Sequence, residues 1–203
     1  VIVVFCVGAS YGLPLLVAFV AHDQFSELST RGARWLLLRV PRPAWFAGKA
    51  VAAFVAVSGF LATTWILVAI RSMAAGDETG VVLVECVRAW LLMCVLALPY
   101  LGLTALVSTF VGPAAAFVAT FGTWIGLMVG AMAVRHWLPA FLTKQGFESL
   151  AESSQHLLIV FPWHHAGGLI SRHGPDVAKS VLGLVVLAAL AYAAALWNVR
   201  RRD

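Results

Sequence analysis

Residues 22–49 read HDQFSELSTRGARWLLLRVPRPAWFAGK. On either side of them, over residues 1–21 and 50–70, the chain is apolar and carries no Asp, Glu, Lys, Arg or His. Each run has the length, about 20 residues, that crosses the hydrocarbon core of a bilayer as a helix. The quoted stretch is therefore a polar interruption between two membrane spans. It opens with acids, continues in a short two-faced helical pattern, and closes on a basic proline pair and Gly48-Lys49.

Three more runs of this kind follow, at residues 89–111, 114–134 and 180–197, again without an ionisable side chain. A charge at the centre of a span costs roughly 2.5–3.5 kcal/mol on insertion scales, and all five runs avoid that cost. Composition agrees. The chain of 203 residues is 62% hydrophobic and 11% charged, against roughly 45–50% and about 25% in soluble domains. The expected fold is an all-α, polytopic bundle of five spans forming one transmembrane domain over residues 1–203.

Charge sets the orientation. Arg31, Arg34, Arg39, Arg42 and Lys49 lie in the first connection, and Arg200, Arg201 and Arg202 close the sequence. With five spans these two regions share a side. They hold eight basic residues against six elsewhere: Arg71, Arg88, Arg135, Lys144, Arg172 and Lys179. The positive-inside rule makes that side, and the C-terminus, cytoplasmic in a cell membrane. The net charge of +5 thus reads as orientation and not as nucleic-acid binding. Val1 falls outside and in mid-span. The expectation is that an upstream helix precedes it; a cleaved signal peptide is the other explanation.

Several chemistries are absent. Gly48-Lys49 has neither the upstream Gly nor the following Ser or Thr of a P-loop, and no H-E-x-x-H or G-x-S-x-G occurs. Cys6, Cys86 and Cys94 show no disulfide or zinc spacing and read as small apolar packing residues. With no ionisable group in the spans, proton- or sodium-coupled transport lacks its usual midplane groups. Work done by such a chain draws its energy from a partner.

Residues 24–38 form the candidate docking helix. Phe25, Leu28, Gly32, Trp35 and Leu36 recur at helical spacing on one face, and Glu27, Arg31 and Arg34 on the other. Glu27 and Arg31 stand at i, i+4 in the favourable order. Such a helix can lie in the interface with Trp35 at headgroup level. The prolines Pro41 and Pro43 then stop it.

This stretch resembles the signature of the ABC type-2 permease family. The matching residues are Glu27, Arg31-Gly32, Leu36-Leu37, Pro41 and Gly48-Lys49; Ala33 stands where Thr is usual, the helix has a single acid, and Arg42-Pro43 follows Pro41 in place of a later Arg. The family has six spans, a near-loopless inner turn between the fourth and fifth, and short outer helices before the sixth. The runs here fit its second to sixth spans, with 111–114 as the inner turn and 135–179 as the outer segment. The resemblance implies a permease subunit of an ATP-driven exporter, paired with a second permease subunit as homodimer or heterodimer. ATP and Mg would be held by a separate cytosolic ATPase, so no catalytic or cofactor-binding residue is expected in this chain. The coupling residues would be Phe25, Glu27, Leu28, Arg31, Arg34 and Trp35. The alternatives are a membrane anchor or assembly factor without transport, and a force-transmitting permease linked to copper-enzyme maturation.

A second constellation lies in the outer segment. Glu148, Glu152 and His156 recur at i, i+4, i+8, and His164, His165 and His173 follow. Carboxylate and imidazole together can bind a transition metal, though nothing in the spacing defines a coordination geometry; the plainer reading is a solvated helix face. Trp35, Trp45, Trp90, Trp137, Trp163 and Trp197 fall at the predicted membrane boundaries, the pattern of an aromatic belt.

Overall fold

A computed structural model describes residues 1–26, 40–171 and 173–201 of the chain. The described residues are helical and include no strand, as lipid requires when every backbone N–H and C=O must be satisfied within its own segment. The order is α1 (Ile2–Val7), a π turn (Gly8–Gly12), α2 (Leu13–Ser26), α3 (Arg42–Ala74), α4 (Thr79–Ser108) and α5 (Pro113–Met132). A second π turn (Ala133–Trp137), α6 (Leu138–Lys144), α7 (Glu148–Ser154), a 3-10 turn (Gln155–Val160), α8 (Pro162–Ile170) and α9 (Gly174–Arg200) complete it.

Among the described residues, four helical stretches are long and apolar enough to cross a membrane: Pro43–Ala74, Thr79–Ser108, Ala115–Lys144 and Gly174–Arg200. The first expected span is helical from residue 2 to 26 but is divided by the π turn, and its apolar helix is the shorter Leu13–His22. The chain is a multi-pass membrane protein.

The helices overrun the apolar runs. The connection after the apolar run 50–70 is only residues 75–78, because α3 continues through Arg71 and closes in a glycine cap. Gly76 has φ +95°, its N–H bonds Met73 O at 3.1 Å, and Asp77 N–H bonds Ser72 O at 3.2 Å. That is a Schellman motif, and its left-handed residue favours glycine. Gly146, with φ +79°, closes α6 in the same way. By contrast α4 and α5 are joined by a tight turn of residues 109–112, overlapping the one expected at 111–114, and Pro113 starts the next helix, where its missing N–H costs no intrahelical bond.

α4 is the axis of the bundle. It packs against α2, α3, α5 and α9, and Leu96, Ala97, Pro99, Tyr100, Leu101, Gly102, Thr104 and Ala105 are all buried. A helix apolar on every side is buried on every side when neighbours surround it. α4 and α9 approach closely at Gly102, where an added Cβ would lie 2.9 Å from Ala191 Cβ and 3.2 Å from Ala188 O of α9. Small residues let membrane helices approach in this way and replace hydrophobic driving force with close dispersion contact.

Candidate functional site

Contacts between helix termini gather one end of the bundle. Phe25, in the last turn of α2, is fully buried against Phe46 of α3, ring centroids 5.2 Å apart. Phe46 in turn meets Tyr192 of α9 edge-on at 6.4 Å. Lys49 Nζ donates to Gln24 Oε1 at 3.3 Å and lies 5.4 Å over the Trp45 ring. Asn198 Nδ2 donates to Thr109 Oγ1 at 2.8 Å, which ties the end of α9 to the end of α4. His22 Nδ1 donates to the carbonyls of Ala18 and Phe19, both at 3.0 Å, and its ring meets Phe117 of α5 edge-on. The end of α2, the start of α3, the α4–α5 turn and the end of α9 are therefore neighbours.

This end borders residues 27–39. Glu27, Leu28, Arg31, Arg34 and Trp35 all lie outside the described residues, so the candidate coupling face is known from its flanks. The exception is Phe25. It belongs to α2, which continues to Ser26, and it is an internal anchor in the aromatic cluster. Arg201 stacks over Trp197 at 4.6 Å, a cation on an indole face.

The other end carries His156, His164 and His165. A cavity of about 610 Å³ opens there between α8, the 3-10 turn and the start of α9, within the 300–1,000 Å³ range of small-molecule sites. Its polar lining includes His156, His164, His165, Asp176, Lys179 and Ser180. His165 is buried, and its Nε2 donates to Ile159 O at 3.0 Å. Its ring packs against Gly183 of α9, where a Cβ would come within 2.5 Å of Cε1. One turn earlier, a Cβ at Gly168 would collide with Ser180 Oγ. Two glycines thus let α8 seat directly on α9 and form the wall of the cavity. Burial first, then the neighbouring His165 ring and Arg135, hold His164 below the ordinary imidazole range, so it favours the neutral form. Ser171 Oγ donates to Asp176 Oδ2 at 3.4 Å, and Arg88 Nη2 donates to Ser171 O at 2.9 Å.

The metal constellation does not assemble. Glu148, Glu152 and His156 are exposed, and the shared face ends where α7 gives way to the 3-10 turn at Gln155. With about three residues per turn there, His156 leaves the register of the two carboxylates. Among the described residues no group of three His, Cys, Asp or Glu side chains is placed to hold a metal ion. Asp176, Lys179 and Ser180 did not stand out in the sequence as a group. Their signal is faint: a charge of each sign, three residues apart, just ahead of an apolar run.

No protein-family model matches this chain, and neither the curated proteins nor the solved structures include a match.

Proposed function

We propose that this chain is the permease subunit of an ATP-driven transporter of the ABC type-2 kind, coupled through residues 25–38 to a cytosolic ATPase. The reading rests on the residue pattern Glu27, Arg31-Gly32, Leu36-Leu37, Pro41, Gly48-Lys49. The observation that supports it is the gathering of helix ends at the two flanks of this stretch, the end of α2 and the start of α3. A push delivered between Ser26 and Val40 would reach α2 through Phe25 and α3 through Phe46, which touch each other. Through Tyr192 it would reach α9 as well. Packed side chains of this kind move as rigid elements and not as a soft medium. Two such subunits would enclose the route, and hydrolysis of ATP would take place in the partner. The cargo class the apolar spans favour is lipid-like or hydrophobic.

The test is co-purification of the full chain with its cytosolic ATPase, repeated for Glu27→Lys and Arg34→Glu. Loss of ATPase binding in either variant, with membrane insertion intact, is the expected result. Native-level binding in both, or no ATPase partner at all, would refute the coupling role and leave a membrane anchor or assembly factor as the better reading.

A further inference from the structure

We propose that the cavity at the head of α9 binds the headgroup of an aminophospholipid, with Lys179 on the phosphate and Asp176 on the ammonium group. The inference does not depend on coupling to an ATPase.

Position is the first ground. Asp176 and Lys179 stand in the opening turns of α9, immediately before the uncharged run that begins at Ser180. They lie at the level where a bilayer changes from headgroups to acyl chains. Below Lys179, the residues Leu182, Val186 and Leu190 follow at steps of three, four and four, one stripe of a helix. All three side chains are exposed. At 1.5 Å per residue the stripe runs about 16 Å below Lys179, close to half of the roughly 30 Å hydrocarbon core. The cavity and the stripe together have the shape of one lipid in one leaflet.

Charge is the second ground. Among the described residues the cavity lining holds one fixed cation, Lys179, and one fixed anion, Asp176. The Lys179 ammonium has no hydrogen bond or ion pair with any described residue. Among the described residues the Asp176 carboxylate accepts only the long Ser171 contact of 3.4 Å. His164, held toward its neutral form, adds little charge at neutral pH. A ligand carrying a phosphate beside an ammonium group answers both charges. A purely anionic headgroup answers one and faces the Asp176 carboxylate. The hydroxyl of Ser180 and the imidazoles of His156 and His164 supply further neutral hydrogen-bonding groups.

The experiment is native mass spectrometry of the detergent-purified full chain, titrated separately with phosphatidylethanolamine, phosphatidylglycerol and soluble O-phosphoethanolamine. The native chain should retain phosphatidylethanolamine over phosphatidylglycerol. Lys179→Gln should weaken retention of phosphatidylethanolamine about tenfold or more, the size of a charged hydrogen bond. Asp176→Asn should abolish the preference between the two lipids. Lys144→Gln, an exposed lysine away from the cavity, should behave as native. Lys179 and Asp176 are exposed, so these variants should stay folded, and an unchanged helical circular dichroism spectrum checks it. Equal retention of the two lipids by the native chain would overturn the proposal, as would native behaviour of both cavity variants. Soluble O-phosphoethanolamine binding as tightly as the lipid would overturn the role of the apolar stripe and with it the lipid assignment.

Discussion

Replacing Gly102 with alanine should destabilise the bundle although alanine is the better helix former. The new methyl would lie 2.9 Å from Ala191 Cβ, 3.2 Å from Ala188 O and 3.4 Å from Tyr192 Cδ2. Carbon atoms rest at about 3.5–4.0 Å, so α4 and α9 must part locally by about 0.6–1 Å. A radial gap of 0.5–1 Å forfeits a quarter to a half of each dispersion contact it opens, and among the described residues this is the most extensive helix pair. Overpacking of this kind costs about 1–3 kcal/mol, while removing a mid-helix glycine returns up to about 1 kcal/mol. With the full return subtracted the net loss is up to about 2 kcal/mol, a fall of up to roughly thirtyfold in the folded-to-unfolded ratio. Gly126→Ala is the matched control: it also sits in a membrane helix, and an added Cβ meets nothing within 4 Å. Reversible unfolding of both variants in mixed micelles, followed by tryptophan fluorescence, gives the two free energies. If Gly102→Ala is as stable as Gly126→Ala, the close α4–α9 approach does not hold the fold together and the reasoning fails.

Trp90 Nε1 donates to Ser58 O at 3.0 Å and so links α4 to α3. Trp90→Phe keeps an aromatic ring but loses the donor, and should lower stability by about 1 kcal/mol in the same unfolding assay. His164 favours its neutral form in the folded chain. Below the ordinary imidazole pKa of 6.5, the unfolded chain therefore takes up a proton that the folded chain resists. Stability from this group is full above 6.5 and declines as pH falls toward the lower folded-state value. His164→Asn should remove that slope, which unfolding midpoints measured from pH 7.5 to 5 would reveal.

The membrane spans were legible because lipid imposes a simple demand. Residues 50–70, 89–111, 114–134 and 180–197 each lie almost wholly within a long helix. Where the helices end was less legible. Apolar composition marks the hydrocarbon core, but the chain stops a helix with backbone geometry. The left-handed glycines Gly76 and Gly146 therefore carried α3 and α6 beyond the apolar runs. The histidine pattern shows the opposite failure. Glu148, Glu152 and His156 share a face only if one α-helical period continues, and at Gln155 it changes. Gly168 and Gly183 carried no warning in one dimension. Each matters because a side chain of another helix occupies the space where its own would be.

Sequence alone determined that this protein lives in lipid, crosses it several times as helices, and places its polar groups at the two ends. Those are consequences of transferring side chains one at a time between water and hydrocarbon, which composition and order record directly. Only the tertiary structure decided that α4 is the axis, that α9 packs closely on it at Gly102, and that His164, Asp176 and Lys179 border a common cavity. Those depend on which surfaces fit together. Lipid is as apolar as the side chains it replaces, so a linear pattern of apolar residues cannot say which of them face a neighbour.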